Sequence, residues 1–330
     1  MSEPLGIALR GTGSCLPARV LSNADFEKRL DTSDAWIQQR TGIRERRVVG
    51  PGETTASMAL VAARRALEVA DLGPQDLDLI LCATITPEML FPSTACFVQA
   101  GLGCRPIGAF DLLAACSGFV YALVVGSQFI RNGAYRNVLV IGAETLSRVV
   151  DYSDRGSCIL FGDGAGAAVL SATRETGRGL HYFRLYADGS HHELLHLPGG
   201  GSRYPASADS VARGLHFMKL NGREVYRFAV TRLQELIQEA MTECGLTVAD
   251  VALVIPHQVN QRIIDSAVRH MNFPPEKVMS NLDRYGNTSA ASVPIALDEA
   301  IRTGRIGAGD KVLLVAFGGG FTWASAVLTL

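Results

Sequence analysis

Apolar residues recur at spacings of three and four over residues 54–70 (TTASMALVAARRALEVA), the period of a helix with one buried stripe. The stretch that follows, DLGPQDLDLILCAT, reads as a turn and then an unbroken apolar run, a strand covered on both faces. The same order returns with a helix over residues 223–244 and then GLTVADVALVIPHQ, which sets Asp250 opposite Asp76 at an offset of 174 residues. A third correspondence pairs Cys116–Gly133 with Asn287–Gly304, each a loop, a helix and a Gly turn before a strand (RNVLVIG, then DKVLLVAFGGG), at an offset of 171. Offsets this close over half the chain predict a tandem duplication with halves 1–175 and 176–330.

Strands alternating with helices predict mainly parallel sheets. Two stretches, 112–130 and 312–330, carry no charge and approach the roughly 20 residues that span a bilayer. The second, VLLVAFGGGFTWASAVLTL, is interrupted by three glycines and reads as two strands joined by a Gly turn. The first, LLAACSGFVYALVVGSQFI, reads as a helix apolar on every side, and two sheets sharing it would enclose it. No membrane insertion is therefore expected, and the stack becomes five layers, αβαβα, within the α/β class.

Length and composition agree with a large buried core: 330 residues, 48% hydrophobic and only 19% charged. With 31 Lys plus Arg against 32 Asp plus Glu, the net charge of −1 provides no global field for nucleic acid, so a charged partner must be met by a local patch. The opening MSEPLGIALRG lacks the basic stretch and apolar run of a secretory signal, and seven cysteines without a CxxC pair fit a reducing, cytoplasmic setting and no metal framework.

The duplication aligns Cys116 with Asn287, each in a loop before a helix, and predicts that they share a site between the halves. Cys116 precedes a helix whose N-terminal partial charge favours a thiolate, a nucleophile's setting. His257 ends the strand VALVIP, at the carboxyl edge where α/β sheets gather ligands. Trp36 and Arg40, four apart on one helix face, are placed to clamp an aromatic base and its phosphates. Arg262 and Arg269 lie seven apart on the helix after HQVN, opposite Ile263, Ala267 and Met271, while Arg223 and Arg227 share a face of another helix.

The segments DTSDAWIQQRTGIRERR, AACSGFVYAL, DRGSCILFGDGAGAAVL, VIPHQVNQRII, YGNTSAASVPIALDEA and AFGGGFTW closely resemble the β-ketoacyl-acyl carrier protein synthase III family over nearly the whole chain. The resemblance implies a thiolase fold, usually as a homodimer, with Cys116, His257 and Asn287 as catalytic residues and no cofactor, acyl-CoA and malonyl-acyl carrier protein being substrates. It implies that Cys116 takes the acyl group from acyl-CoA, and that decarboxylation of the malonyl group gives a carbanion that attacks the acyl-cysteine, initiating fatty-acid synthesis. It further implies an oxyanion hole from the backbone N–H groups of Cys116 and Gly319, and CoA contacts at Thr32, Trp36, Arg40, Arg155 and Gly222. Carrier-protein contacts are implied at Arg262, Arg269 and Arg227, and an acyl-pocket wall at Phe91 from the partner subunit. Related proteins with the same triad prime polyketides, make quinolones or transfer acyl groups to small-molecule acceptors, so a priming ketosynthase or acyltransferase of polyketide or quinolone secondary metabolism is the alternative.

Two other motifs are set aside. HELLH at 192–196 matches a zinc signature, but it is bounded by Asp188–Gly189 and PGGGS, which suggests a strand or hairpin rather than the required helix. GDGAGA at 162–167 approximates a dinucleotide fingerprint, yet it leads into a strand, AAVLSA, with no acidic residue at the needed distance, and is read as a turn between paired strands.

Overall fold

A computed structural model describes residues 6–175, 177–269 and 271–330. The first residues of the opening segment and Thr176, where the second half was placed, lie outside the described residues. The first half carries strands β1 (Gly6–Cys15), β2 (Leu79–Ala83), β3 (Gly108–Leu112), β4 (Asn137–Thr145) and β5 (Asp163–Thr173). Its principal helices are α1 (Asp34–Thr41), α2 (Thr55–Ala70), α3 (Thr94–Leu102) and α4 (Gly118–Arg131). The second half carries β6 (Gly179–Ala187), β7 (Leu253–Pro256), β8 (Lys311–Gly318) and β9 (Thr322–Thr329), with α5 (Gly222–Glu243), α6 (Gln261–Arg269) and α7 (Ser292–Arg302).

Local chemistry starts these elements where the sequence suggested. Thr54 caps α2: its hydroxyl accepts the Ser57 N–H at 3.2 Å while the Ser57 hydroxyl accepts the Thr54 N–H at 2.8 Å. The uncharged terminal stretch is indeed two strands, β8 and β9, paired antiparallel from Lys311↔Thr329 to Gly318↔Thr322.

The sheets order as β1-β5-β4-β2-β3 and β7-β8-β9-β6. Written from the same end, the second is β6-β9-β8-β7, and a single bridge between Val254 and Val278 stands where the fifth strand would be. The sheets are mixed rather than mainly parallel. Strands linked through helices run parallel (β2 with β3 and β4, β7 with β8), whereas β1, β5, β6 and β9 pair antiparallel. Only a helical crossover returns the chain in its original direction, and the β8–β9 connection is a short turn.

Five layers result from alternation within fully buried strands. Leu79 and Leu81 of β2 face a central core with Phe119, Val120 and Leu123 of α4, Val293 and Leu297 of α7, and Leu314 of β8. Ile80 and Cys82, one residue out of phase, face an outer core with Ala62, Ala66 and Leu67 of α2. On the far side, Leu313 and Val315 pack against Leu233 and Ile237 of α5 and Ile264 of α6. The order is α2 and α3, first sheet, α4 and α7, second sheet, α5 and α6. This is the five-layered αβαβα architecture that the resemblance implies.

Gly164 and Gly166 of GDGAGA lie inside β5, with Gly162 immediately before it, and the motif is not a turn. A Cβ on Gly166 would stand 2.7 Å from the backbone N of Ile295 and from the Pro294 Cβ, so glycine there lets α7 press onto the sheet. Likewise HELLH forms a short 3₁₀ segment, Gly189–Leu194, followed by two residues paired with Lys219–Leu220. No metal-holding group of three His, Cys, Asp or Glu occurs among the described residues. No helix among them is long and apolar enough to cross a membrane.

Candidate active site

Cys116 sits in a one-turn 3₁₀ segment, Ala115–Ser117, immediately before α4. Ala115 has φ +47°, a left-handed value rare outside glycine, which turns the chain sharply into the helix. The second half repeats this device: Ser289 has φ +48° in the 3₁₀ segment Ser289–Ala291 ahead of α7. The structural counterpart of Cys116 is therefore Ala290, and the expected alignment with Asn287 is displaced by three residues. The cause is that α7, with 11 residues, is shorter than α4, with 14, so an offset taken through the helix ends misplaces the starts. Asn287 reaches the site from the preceding loop, bridged to Phe161 and held by the Gly162 N–H on its carbonyl at 3.0 Å.

Three buried side chains converge on one open cavity of about 270 Å³: Cys116, His257 and Asn287, at 6%, 1% and 4% exposure. Its outer walls carry Trp36, Arg40, Gly222 and Arg262. A second, mostly apolar cavity of about 930 Å³ also reaches Cys116 and is lined by Met89, Leu90, Leu113, Leu146, Val149, Ser289 and Gly319 among others. The thiol thus stands between two chambers.

Burial pushes the Cys116 thiol up to about 12, aided by the nearby Glu144 carboxyl, while hydrogen bonds from Ser289 and the backbone N–H groups of Cys116 and Gly319 act in the opposite direction. The resting thiolate expected from the helix end is not favoured, because loss of water outweighs the partial charge of the terminus. Those two N–H groups nevertheless both approach the sulfur. Gly318 permits this, since a Cβ there would lie 2.6 Å from the Cys116 backbone N.

His257 follows β7, and burial holds its ring down at about 3, so it is neutral at ordinary pH. Its Nδ1 lies 2.6 Å from the Ser292 hydroxyl, the first residue of α7. That hydroxyl already accepts the Gln258 N–H at 3.3 Å and has no other acceptor among the described residues, so its proton belongs to Nδ1. The ring proton then resides on Nε2, which is buried and has no partner among the described residues. Asn287 is oriented similarly: its side-chain oxygen accepts the Ser289 N–H at 2.9 Å, leaving the amide NH₂ as the free group. Two neutral donors are therefore available beside a thiol.

The other sequence-derived positions divide. The guanidinium groups of Arg40 and Arg155 lie 5.5 and 5.0 Å from the Trp36 ring centroid, and Arg155 also donates to the Asp31 carbonyl at 2.5 Å. Thr32 is not part of the cavity wall, although its buried hydroxyl has no partner among the described residues. Arg227, Arg262 and Arg269 are exposed and form no ion pair among the described residues, with Arg262 lying 5.7 Å above Tyr226. Phe91 projects outward at 83% exposure and does not line its own subunit's cavities. Glu144, Ser289 and Ser292 were missed. The available signals were an acidic residue at the carboxyl end of an apolar strand and two serines within GNTSAAS.

Comparison with known proteins gives concordant findings. The 3-oxoacyl-[acyl-carrier-protein] synthase III family model matches residues 110–189, and the model of that family's C-terminal region matches 241–330. The chain is 52% identical over 328 residues to a β-ketoacyl-[acyl-carrier-protein] synthase III of Caldanaerobacter subterraneus subsp. tengcongensis, covering 99% of each. It is 51% identical over 326 residues to one of Symbiobacterium thermophilum, covering 99% of this chain and 98% of the other. Among solved structures, the synthase III of Aquifex aeolicus VF5 superposes with TM-score 0.91 at 47% identity, covering 98% of this chain and 100% of that one. A priming β-ketosynthase of the R1128 polyketide pathway gives 0.92 at 35%, covering 100% and 98%. The thiol between two cavities thus lies in a chain that belongs to the 3-oxoacyl-[acyl-carrier-protein] synthase III family.

Proposed function

We propose that this protein is a β-ketoacyl-[acyl-carrier-protein] synthase III, an acyl-transferring condensing enzyme that joins an acyl-CoA primer to malonyl-acyl carrier protein and so initiates fatty-acid synthesis. The observation that carries this reading is the convergence of Cys116, His257 and Asn287 on one cavity, with a second, apolar cavity reaching the same sulfur. The apolar chamber takes the primer's acyl chain. The other takes the thioester arm of CoA and, later, of the carrier protein, with Trp36, Arg40, Arg155 and Gly222 nearest the nucleotide end and Thr32 a weaker contact.

Cys116 attacks the primer thioester, and the developing oxyanion is met by the N–H groups of Cys116 and Gly319. Free CoA leaves. When malonyl-acyl carrier protein replaces it, CO₂ is lost and negative charge gathers on the malonyl thioester oxygen, where His257 Nε2–H and the Asn287 amide donate. The enolate carbon then attacks the acyl-cysteine. These steps call on side-chain and backbone groups with no resident cofactor or metal.

Exposed Arg227, Arg262 and Arg269 supply a patch for an acidic carrier protein. Exposed Leu90, Phe91 and Leu113, at 79%, 83% and 78%, support a homodimer in which Phe91 closes the partner's acyl chamber. Matching strand orders support the division into halves 1–175 and 176–330. A cytoplasmic location fits the substrates. Priming of a polyketide is the second reading, motivated by the R1128 enzyme.

Intact mass after incubation with acetyl-, isobutyryl- and octanoyl-CoA tests the assignment. A single acyl adduct that disappears in Cys116→Ala, and is discharged by malonyl-acyl carrier protein as a 3-oxoacyl product, is expected. An adduct that persists in the variant would remove Cys116 from the mechanism.

A further inference from the structure

We propose that Glu144, acting through the Ser289 hydroxyl, is the acceptor of the Cys116 proton during acylation and returns that proton when the cysteine leaves. The proposal rests on the assignment of Cys116 as nucleophile. A thiol this deeply buried needs somewhere to send its proton, and His257 is ill suited to receive it. The His257 Nδ1 is engaged by Ser292, its Nε2 carries the ring proton, and its surroundings disfavour a charged ring.

On the opposite side stand Ser289 and, behind it, Glu144. The Ser289 hydroxyl neighbours the Cys116 thiol in the wall of the apolar cavity, favours its ionised form, and donates to Glu144 Oε1 at 3.1 Å. Glu144 has 0% exposure at the carboxyl end of β4 and no ion-pair partner among the described residues. Its Oε2 accepts from the Thr86 hydroxyl at 2.5 Å, the Thr86 N–H at 3.2 Å and the Thr84 hydroxyl at 3.3 Å, and the Ile85 N–H is shared between Oε2 at 3.2 Å and Oε1 at 3.3 Å, which fixes the carboxyl plane with Oε1 toward Ser289. Burial raises the Glu144 carboxyl to about 7, so it exchanges protons in the working range. The titratable groups facing it from neighbouring elements are Cys116 and, on β2, Cys82. Asp163 of β5 is committed to Ser147 and the Val49 N–H, and Asp111 of β3 to the Thr94 and Ala95 N–H groups.

In the step, the Cys116 S–H proton passes to Ser289 Oγ as the Ser289 proton passes to Glu144 Oε1. The sulfur's electron pair forms the new C–S bond, the carbonyl carbon's bond to the CoA sulfur breaks, and CoA leaves as a thiolate that takes a proton from solvent. In the condensation, the enolate carbon bonds to the acyl carbon, the bond to Cys116 breaks, and Glu144 returns its proton through Ser289. The cycle consumes one solvent proton for each CoA released, and the glutamate is restored.

The test compares wild type, Glu144→Gln, Ser289→Ala and the double variant. Ala115 already holds alanine at the equivalent left-handed position, so Ser289→Ala keeps the turn even where Glu144→Gln fails to fold. Single-turnover acylation by acetyl-CoA is followed by quenched-flow mass spectrometry from pH 5.5 to 9, with Cys116 alkylation by iodoacetamide over the same range as an arm that needs no acyl donor. In both arms the wild-type rate is expected to climb to a plateau above about pH 7. Each single variant loses the plateau and is slower at pH 7.5 by at least about tenfold, and the double variant is no slower than the worse single one. A purely electrostatic glutamate predicts the reverse, because removing its charge eases thiol ionisation: faster alkylation in Glu144→Gln overturns the relay, as do unchanged pH profiles. Failure of wild type to be acylated while alkylation keeps the expected profile counts against the acyl-CoA reading and not against the relay.

Discussion

Among single residues, His257 shows burial choosing between two chemistries. A histidine in water would titrate near 6.5 and serve as a base, whereas this one is held at about 3 and serves as a hydrogen-bond donor. The ring remains neutral at every pH well above 3 and charges only as pH falls toward that value. Malonyl decarboxylation should therefore show no inflection from His257 between pH 5 and 8; an inflection near 6.5 that vanishes in His257→Ala would contradict the assigned state. The donor role also depends on Ser292, whose proton on Nδ1 keeps the other proton on Nε2. Ser292→Ala should lower kcat by roughly tenfold, about the worth of one hydrogen bond, with KM for acyl-CoA little changed. Steady-state kinetics reads both, and Ser292→Thr should recover much of the loss.

At the scale of elements, close approach of α7 to β5 brings Asn287, Ser289 and Ser292 toward the first half. Gly166→Ala places a methyl group against the Ile295 and Pro294 backbone and should destabilise by about 1–3 kcal/mol. Chemical denaturation measures that cost, and the triad's activity should fall with it as α7 is displaced. The elements read from sequence, among them α2, α5, β7, β8 and β9, were legible because apolar period and Gly turns are local signals. The role of GDGAGA was not legible, since glycine reads equally well as turn former and as clearance for a neighbour, and only the position of Pro294 distinguishes them. The displaced partner of Cys116 has the same origin: helix lengths differ between the halves, and a positive φ at Ala115 and Ser289 leaves no mark on residue type.

For the whole molecule, net charge of −1 leaves partner recognition to local patches. Arg269 is exposed on α6 and forms no ion pair among the described residues. Arg269→Glu should lower kcat/KM for malonyl-acyl carrier protein by about two- to fivefold, the worth of an exposed ion pair, and less at high salt. Titrating the carrier protein at two ionic strengths checks this, and an equal loss at both would move the docking surface elsewhere. Order along the chain and residue type sufficed for the layered α/β architecture, because periodicity is a property of a line, whereas Cys, His and Asn were grouped by the family resemblance and the repeat offset alone paired Cys116 with a residue three positions from its structural counterpart. Folding alone decided the direction of strand pairing, the neutral state of His257, the high thiol pKa and the contact of Ser289 with Glu144. Those depend on which groups lose water and which atoms from distant segments come within hydrogen-bonding distance, quantities that arise only when two sheets close around α4 and α7.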